Sequence, residues 1–130
     1  MAPLPILFSV DEDLPRHRIT ALLAKRGYRV YNPERGEKDP AVIASAEASG
    51  AIIITADRHI YNALHRKYPF DKGTYRRAGV VIVPEYEEGV TEALLERWLA
   101  MIEGVWLATR DEDDQRVVID LRGKHIYIDQ

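Results

Sequence analysis

The chain has 130 residues, of which 46% are hydrophobic and 30% charged, and its formal net charge is −3. This composition is typical of one globular domain, long enough to bury roughly two-thirds of its unfolded surface. The absence of cysteine excludes disulfides, thiolate zinc sites and cysteine nucleophiles. No stretch reaches the roughly 20 apolar residues of a membrane span, and the N-terminus lacks a basic leader. We therefore expect a cytoplasmic protein with no membrane partner.

Short apolar runs alternate with helical patterns over most of the chain. Four apolar runs predict strands, at residues 5–10, 28–32, 51–56 and 78–85. Four capped or amphipathic segments predict helices, at residues 13–27, 39–49, 59–68 and 91–103. A β-α order repeated four times predicts an α/β fold, a three-layer α/β/α sandwich around a mostly parallel sheet.

The C-terminal part has a different pattern. Residues 105–109 and 116–129 alternate with period two, interrupted by the acidic segment 111–114 and by a turn at Arg122-Gly123. Such alternation predicts antiparallel strands. We therefore expect a single domain over residues 1–130, with a C-terminal antiparallel β hairpin as an extension at residues 104–130.

Three aspartates occupy related places in this predicted fold. Asp11 follows the first strand, Asp57 follows the third, and Asp39 opens the helix that returns the chain to the third strand. Because ligands of parallel sheets bind beyond the carboxyl ends of the strands, these carboxylates are expected at one rim. Three carboxylates in one place repel each other unless a cation is present, and Mg²⁺ or Mn²⁺ prefers such oxygen ligands. The pattern predicts a hydrolytic metal site with Asp11, Asp39 and Asp57 as catalytic and metal-binding residues.

Further ligand candidates and simpler interpretations accompany these three residues. Glu12, Asp13 and His59 are additional candidate ligands, although imidazole suits Mn²⁺ or Zn²⁺ better than Mg²⁺. Helix capping is the alternative explanation for Asp13, for Asp39 before Pro40, and for Asp57 ahead of the helix near His59.

Basic residues are in excess over residues 1–80, and acidic residues over residues 81–130. A basic N-terminal portion can meet a phosphate backbone locally, and solvated faces without a partner are the alternative interpretation. The candidate RNA-binding residues precede or follow the predicted strands; they are Arg16, Arg18, Arg58, Arg76 and Arg77. Three tyrosines were also considered as stacking platforms for bases, with packing as the alternative: Tyr61, Tyr68 and Tyr75.

Residues 5–85 resemble a known family. The segment Asp11–Pro15 is similar to the Asp-Glu-Asn-Leu-Pro-like motif of the PIN-like family of small prokaryotic proteins, which is related to the PIN-domain toxin ribonucleases. Gly27-Tyr28 matches the end of that family's first helix, Asp39 its next helix start, and Thr55–Asp57 its Thr-x-Asp motif. The family carries a second acid where this chain has His59.

The resemblance implies a PIN-like fold and a Mg²⁺- or Mn²⁺-dependent endoribonuclease that hydrolyses RNA phosphodiester bonds. RNA, single-stranded or structured, is therefore the partner that the resemblance implies. It also implies the toxin of a toxin–antitoxin pair, with a small antitoxin protein as partner. A homodimer is a further expectation. One alternative is a PIN-like binding or interaction module whose chemistry is impaired by His59.

The second alternative is a receiver-like signalling domain, in which Asp57 would accept a phosphoryl group. Against it, the fourth predicted strand ends at Pro84-Glu85, where a receiver has a small hydroxyl residue. Lys124 also falls in the predicted hairpin, not after a fifth parallel strand.

Overall fold

A computed structural model describes residues 6–33, 36–64, 76–109, 117–123 and 127–129. The strands in these ranges are β1 (Leu7–Val10), β2 (Arg29–Val30), β3 (Ile52–Thr55), β4 (Gly79–Ile82), β5 (Val118–Asp120) and β6 (Tyr127–Asp129). The helices are α1 (Arg16–Lys25), α2 (Asp39–Ser49), α3 (Arg58–Leu64) and α4 (Val90–Thr109).

The strands form one sheet in the order β2-β1-β3-β4-β5-β6. Strands β1 to β5 pair in parallel, and β6 pairs with β5 in the antiparallel direction. Parallel neighbours require crossover connections, and α1, α2 and α3 lie in the connections between the first four strands. The α/β class and the mostly parallel sheet are therefore confirmed.

Helices pack on both faces of the sheet because alternate strand residues point to opposite sides. Ile52 and Ile54 belong to the core cluster that includes residues of α1 and α4. Ile53 belongs to the second cluster, together with residues of α2 and α3. All of β3 is buried, and each fully buried isoleucine contributes about 1.5–3 kcal/mol. This burial fixes the position of the strand end that carries Thr55 and Asp57.

The structure corrects the prediction for residues 105–109. They continue α4 to Thr109 and do not form a strand. Val105 and Trp106 pack against the core cluster of α1 and α4. Their β-branched and aromatic side chains favoured a strand, but β-propensity mainly reports packing, and here the packing surface is available to a helix.

Strand β5 also differs from its prediction as part of an antiparallel extension, because it pairs in parallel with β4. Gly79 at the start of β4 permits this approach, since a Cβ atom there would lie 2.9 Å from the carbonyl oxygen of Val117. Residues 124–126 between β5 and β6 and the acidic residues 111–114 lie outside the described residues. The hairpin turn therefore remains a prediction.

The remaining boundaries differ in small ways. Helix α2 has the predicted limits, whereas α3 is described only as far as Leu64. Residues 65–68 of that predicted helix lie outside the described ranges. Within the described ranges, no helix has the length and apolar character needed to cross a membrane.

Candidate functional site

The candidate site lies at the carboxyl edge of the sheet, between β1 and β3. The chain runs from β1 to β2 on one side, and β3 lies on the other side of β1. This reversal of strand order is the topological switch point at which open α/β sheets bind ligands. Asp11 follows β1 directly, and Asp57 follows the end of β3 by two residues. The structure thus brings these two predicted residues to one edge.

Thr55, the last residue of β3, connects the two acidic segments. It is fully buried, and its hydroxyl group donates a hydrogen bond of 2.7 Å to Oδ2 of Asp11. The hydroxyl oxygen of Thr55 also accepts a hydrogen bond of 2.8 Å from the backbone N–H of Asp57. Asp11 is only 7% exposed, and its Oδ1 accepts a bond from the backbone N–H of Glu12. The Asp11 carboxylate is therefore fixed in position before any ligand arrives.

Asp13 joins this site and is not the N-cap of α1, which is Pro15. Its Oδ2 accepts a hydrogen bond of 3.2 Å from the backbone N–H of Ala56 in the loop after β3. Partial removal from water, the nearby charge of Asp11 and a hydrogen bond with Asp11 together raise the pKa of Asp13 to about 7. The charge of Asp57 acts in the same direction. Asp13 is therefore a member of the cluster.

Asp39 lies within the electrostatic reach of the same group. It is the first residue of α2, and the N-cap position belongs to Lys38, so the predicted capping role is not the observed one. Desolvation raises the pKa of Asp39, and the negative charges of Asp57 and Asp11 raise it further. The charge of His59 acts in the opposite direction and lowers the pKa of Asp39.

Asp57 combines both roles considered for it. Its Oδ1 accepts a hydrogen bond of 2.8 Å from the backbone N–H of His59, so it caps α3. Its charge also acts on Asp13 and Asp39. The cap fixes one carboxylate oxygen of Asp57 on the edge that Asp11 occupies.

Glu12 is turned away from this arrangement. Its Oε2 accepts a hydrogen bond of 2.8 Å from the backbone N–H of Gly36, in the loop before α2. His59 is exposed. We define the carboxylate cluster as Asp11, Asp13, Asp39 and Asp57, with Glu12 and His59 at its border.

The carboxylate cluster supplies only oxygen ligands, which suits Mg²⁺ and Mn²⁺. Across the described residues, however, no group of three or more His, Asp or Glu side chains has a geometry that could hold an ion. Mg²⁺ sites commonly use one or two protein carboxylates, with water and substrate phosphate completing the shell. The oxygen donors of the cluster are of the chemical type that such an ion takes.

Two of the predicted RNA-binding arginines lie beside the cluster on α1. Nε of Arg16 donates a hydrogen bond of 3.0 Å to the carbonyl oxygen of Val10, directly before Asp11. Arg18 forms an exposed ion pair with Glu88, in the loop after β4. A cavity of about 470 Å³ adjoins this region and is lined by Glu12, Leu14, Pro15, Arg16, His17 and Arg18.

The other three arginines occupy two different edges. Arg58 is exposed and follows Asp57, so it lies at the carboxyl edge. Arg76 and Arg77 precede β4 and therefore lie at the amino edge, away from the cluster. Their backbone N–H groups each donate a hydrogen bond of 2.8 Å to the carboxylate of Glu47.

The tyrosines considered for base stacking have a different outcome. Tyr61 is 5% exposed and belongs to the core, and the guanidinium of Arg122 lies 5.1 Å from the centre of its ring. Its ring is therefore used for packing. Tyr68 and Tyr75 lie outside the described residues.

Two residues of the site were missed as participants from the sequence. Thr55 positions Asp11 and Asp57, and its signal was a hydroxyl residue at the end of an otherwise apolar strand. Asn32 accepts a hydrogen bond of 3.3 Å from the backbone N–H of Val10 and donates one to Thr20. Nothing in the sequence indicated that Asn32 would bond to β1, because an asparagine before Pro33 is typical of a loop.

The comparisons with known proteins give no family. No family model, no curated protein and no solved structure matches the chain.

Proposed function

We propose that the chain is a metal-dependent endoribonuclease that hydrolyses RNA phosphodiester bonds at the carboxylate cluster. The observation that supports this most is the convergence of the four aspartates at the switch point, where they raise the pKa of Asp13 and Asp39. Mutual repulsion of this kind is relieved by a divalent cation. We also propose that the fold is a three-layer PIN-like sandwich and that the protein acts as the toxin of a toxin–antitoxin pair.

Each residue has a defined part in the proposed reaction. Asp11, oriented by Thr55, and Asp57, oriented as the cap of α3, hold Mg²⁺ or Mn²⁺, with Asp13 and Asp39 as neighbouring acceptors. A cation bound there would supply Lewis-acid polarisation of a phosphoryl oxygen and a more acidic coordinated water. Arg16 and Arg58 attract the phosphates on either side of the cluster.

The first test is metal binding, because it needs no knowledge of the RNA sequence. Mn²⁺ and Mg²⁺ binding would be measured by calorimetry on the wild type and on Asp57→Asn. Asparagine keeps the cap of α3, so the variant removes a charge without removing the helix start. We expect affinity to fall by at least the roughly 10- to 100-fold that loss of a supporting outer partner costs.

The matched control is Glu85→Gln, which removes one negative charge from an exposed residue after β4, at the same edge of the sheet. It should bind the metal as the wild type does. Cleavage of labelled RNA should require the metal, stop with EDTA and fail in Asp57→Asn. Equal metal binding by Asp57→Asn and Glu85→Gln would place the ion elsewhere and refute the assignment.

A non-catalytic interaction module is the second candidate function. Two observations favour it: the absence of a three-ligand group in the described part of the chain, and His59 where the resembled family has an acid. It predicts no metal binding at millimolar concentration and no RNA cleavage, while the fold remains intact.

A receiver-like domain is the third candidate. Strand order β2-β1-β3-β4-β5 with parallel β5 favours it, since this is the order of the flavodoxin-like doubly wound class. A receiver has a small hydroxyl residue after β4, whereas this chain has Pro84 there. Lys124 lies outside the described residues. Transfer of a phosphoryl group from acetyl phosphate to Asp57, with release of acetate, would support it and displace the nuclease.

A further inference from the structure

A second concave surface, outside the carboxylate cluster, lies between the edge strand β2 and helix α2. We call it the edge groove. Its volume is about 510 Å³, and it is lined by Leu7, Arg29, Val30, Tyr31, Ser45, Ala48 and Ser49. Leu7 and Ala48 supply its apolar side chains, whereas the side chain of Val30 packs against the core cluster on the other face of the sheet. One cation, one phenol and two hydroxyl groups complete the lining.

Tyr31 is the most unusual member of the edge groove. It is 46% exposed, and within the described ranges Val90 is the other large hydrophobic residue that is exposed. Its backbone is fixed, because its N–H donates a hydrogen bond of 2.7 Å to the carbonyl oxygen of Phe8. An aromatic ring on a fixed backbone beside a groove is suited to stacking against a flat ligand.

Tyr31 lies at the end of the edge groove that is nearer to the carboxylate cluster. The rest of the groove extends toward the amino edge, because Leu7 and Arg29 begin their strands and Ser49 ends α2. The register pairs Leu7 with Arg29 and Phe8 with Val30, so Tyr31 is level with Ser9, two residues before Asp11. With about 3.3 Å per residue along a strand and about 4.8 Å between strands, the Cα atoms of Tyr31 and Asp11 are roughly 8 Å apart. Neighbouring nucleotides of an extended strand can span this distance.

We infer that the edge groove binds a base of single-stranded RNA next to the phosphodiester bond that the carboxylate cluster cleaves, an inference that rests on the proposed function. Tyr31 stacks on the base, and Arg29 pairs with the adjoining phosphate. Ser49 donates its hydroxyl hydrogen to the carbonyl oxygen of Ser45, 2.7 Å away. The lone pairs of Ser49 therefore remain as acceptors for base amino groups.

A second copy of the chain is a less suitable occupant. Strand β2 has two residues, one of which is the exposed Arg29. Very short edge strands with a charge resist pairing with other strands. A stable dimer also buries about 800 Å² per partner, much more than two strand residues supply. Charge complementarity between Arg29 and phosphate favours the nucleic acid.

The test measures RNA binding separately from cleavage. Fluorescence anisotropy would follow a short fluorescein-labelled oligouridylate in the presence of EDTA, with the full chain. Tyr31→Ala should raise the dissociation constant by roughly 5- to 150-fold, the range for loss of one base–aromatic stack. Tyr31→Phe keeps the ring and should bind as the wild type does. The control is Val90→Ala, which trims the other exposed large hydrophobic residue.

The outcomes separate the edge groove from the cluster. If Tyr31→Ala binds RNA as tightly as Val90→Ala does, the inference is overturned while the nuclease proposal stands. If Tyr31→Ala weakens binding but Asp57→Asn cleaves normally, RNA binding by the edge groove is supported, while the cluster assignment fails and the position of the base next to the cleaved bond fails with it. If sedimentation shows that Tyr31→Ala turns a dimer into a monomer, the groove is a self-interface and the inference is wrong.

Discussion

Replacement of Thr55 by valine tests the connection on which the site depends. Valine has nearly the same shape, so the change removes the hydroxyl group and leaves the buried volume almost constant. Two hydrogen bonds disappear, from Thr55 to Asp11 at 2.7 Å and from the Asp57 backbone to Thr55 at 2.8 Å. Oδ2 of Asp11 then remains buried without the hydrogen bond that the Thr55 hydroxyl group donated.

The magnitude follows from these two bonds. A hydrogen bond to a charged group contributes about 1.5–3 kcal/mol, and an unsatisfied buried N–H costs about 1–3 kcal/mol. We therefore expect Thr55→Val to lower the free energy of unfolding by about 2.5–6 kcal/mol. Thr55→Ser keeps the hydroxyl group and loses one buried methyl group, so it should lower the free energy of unfolding by only about 0.8 kcal/mol.

Urea unfolding with linear extrapolation measures both variants, and similar m-values would show that the unfolding reaction is unchanged. The reasoning is refuted if Thr55→Val loses no more stability than Thr55→Ser. A double-mutant cycle with Asp11→Ala gives the pairwise energy, and a coupling near zero would mean that packing alone explains the loss.

Two further predictions concern other carboxylates. The pKa of Asp13 is raised from 3.8 to about 7, so between these values the folded state binds more protons than the unfolded state, and stability falls as pH rises through this window. In EDTA, Asp13→Asn should reduce this fall in urea unfolding experiments, and an unchanged pH dependence would contradict the cluster. Glu47 accepts hydrogen bonds from the backbone N–H groups of residues 76–78. Glu47→Gln should lower the free energy of unfolding by about 1.5–3 kcal/mol. Glu96→Gln loses only an exposed ion pair and should lower it by at most about 1 kcal/mol. Equal losses in urea unfolding would refute the stabilising role of Glu47.

The sequence was sufficient to predict the edge that carries Asp11 and Asp57. Chain direction in a parallel sheet places every strand end on one side, and this argument needs no side-chain detail. The same argument shows why Arg76 and Arg77 lie apart from the cluster: they precede β4, and residues before a parallel strand lie at the amino edge.

Other features depend on tertiary contacts that no local pattern reports. Asp13 had the position of a helix cap, yet it bonds to Ala56, which is 43 residues away. Val105 and Trp106 had strand-like side chains, but α4 continues through them because the core offers a helical packing surface. The direction of β5 was equally hidden, since a short run of alternating residues can pair in either direction with a buried neighbour.

The cluster is held together by the core and not by its own charges. Val10 pairs with Ile54, and this register places Asp11 beside Thr55. A slip of one residue would turn Thr55 to the opposite face and remove the hydrogen bond to Asp11. Such a slip would also break the backbone hydrogen bonds from Asp11 to Ile54 and from Val83 to Thr55. The apolar strand therefore supplies the stability that the neighbouring carboxylates reduce, and under the proposed function a bound cation changes their repulsion into attraction.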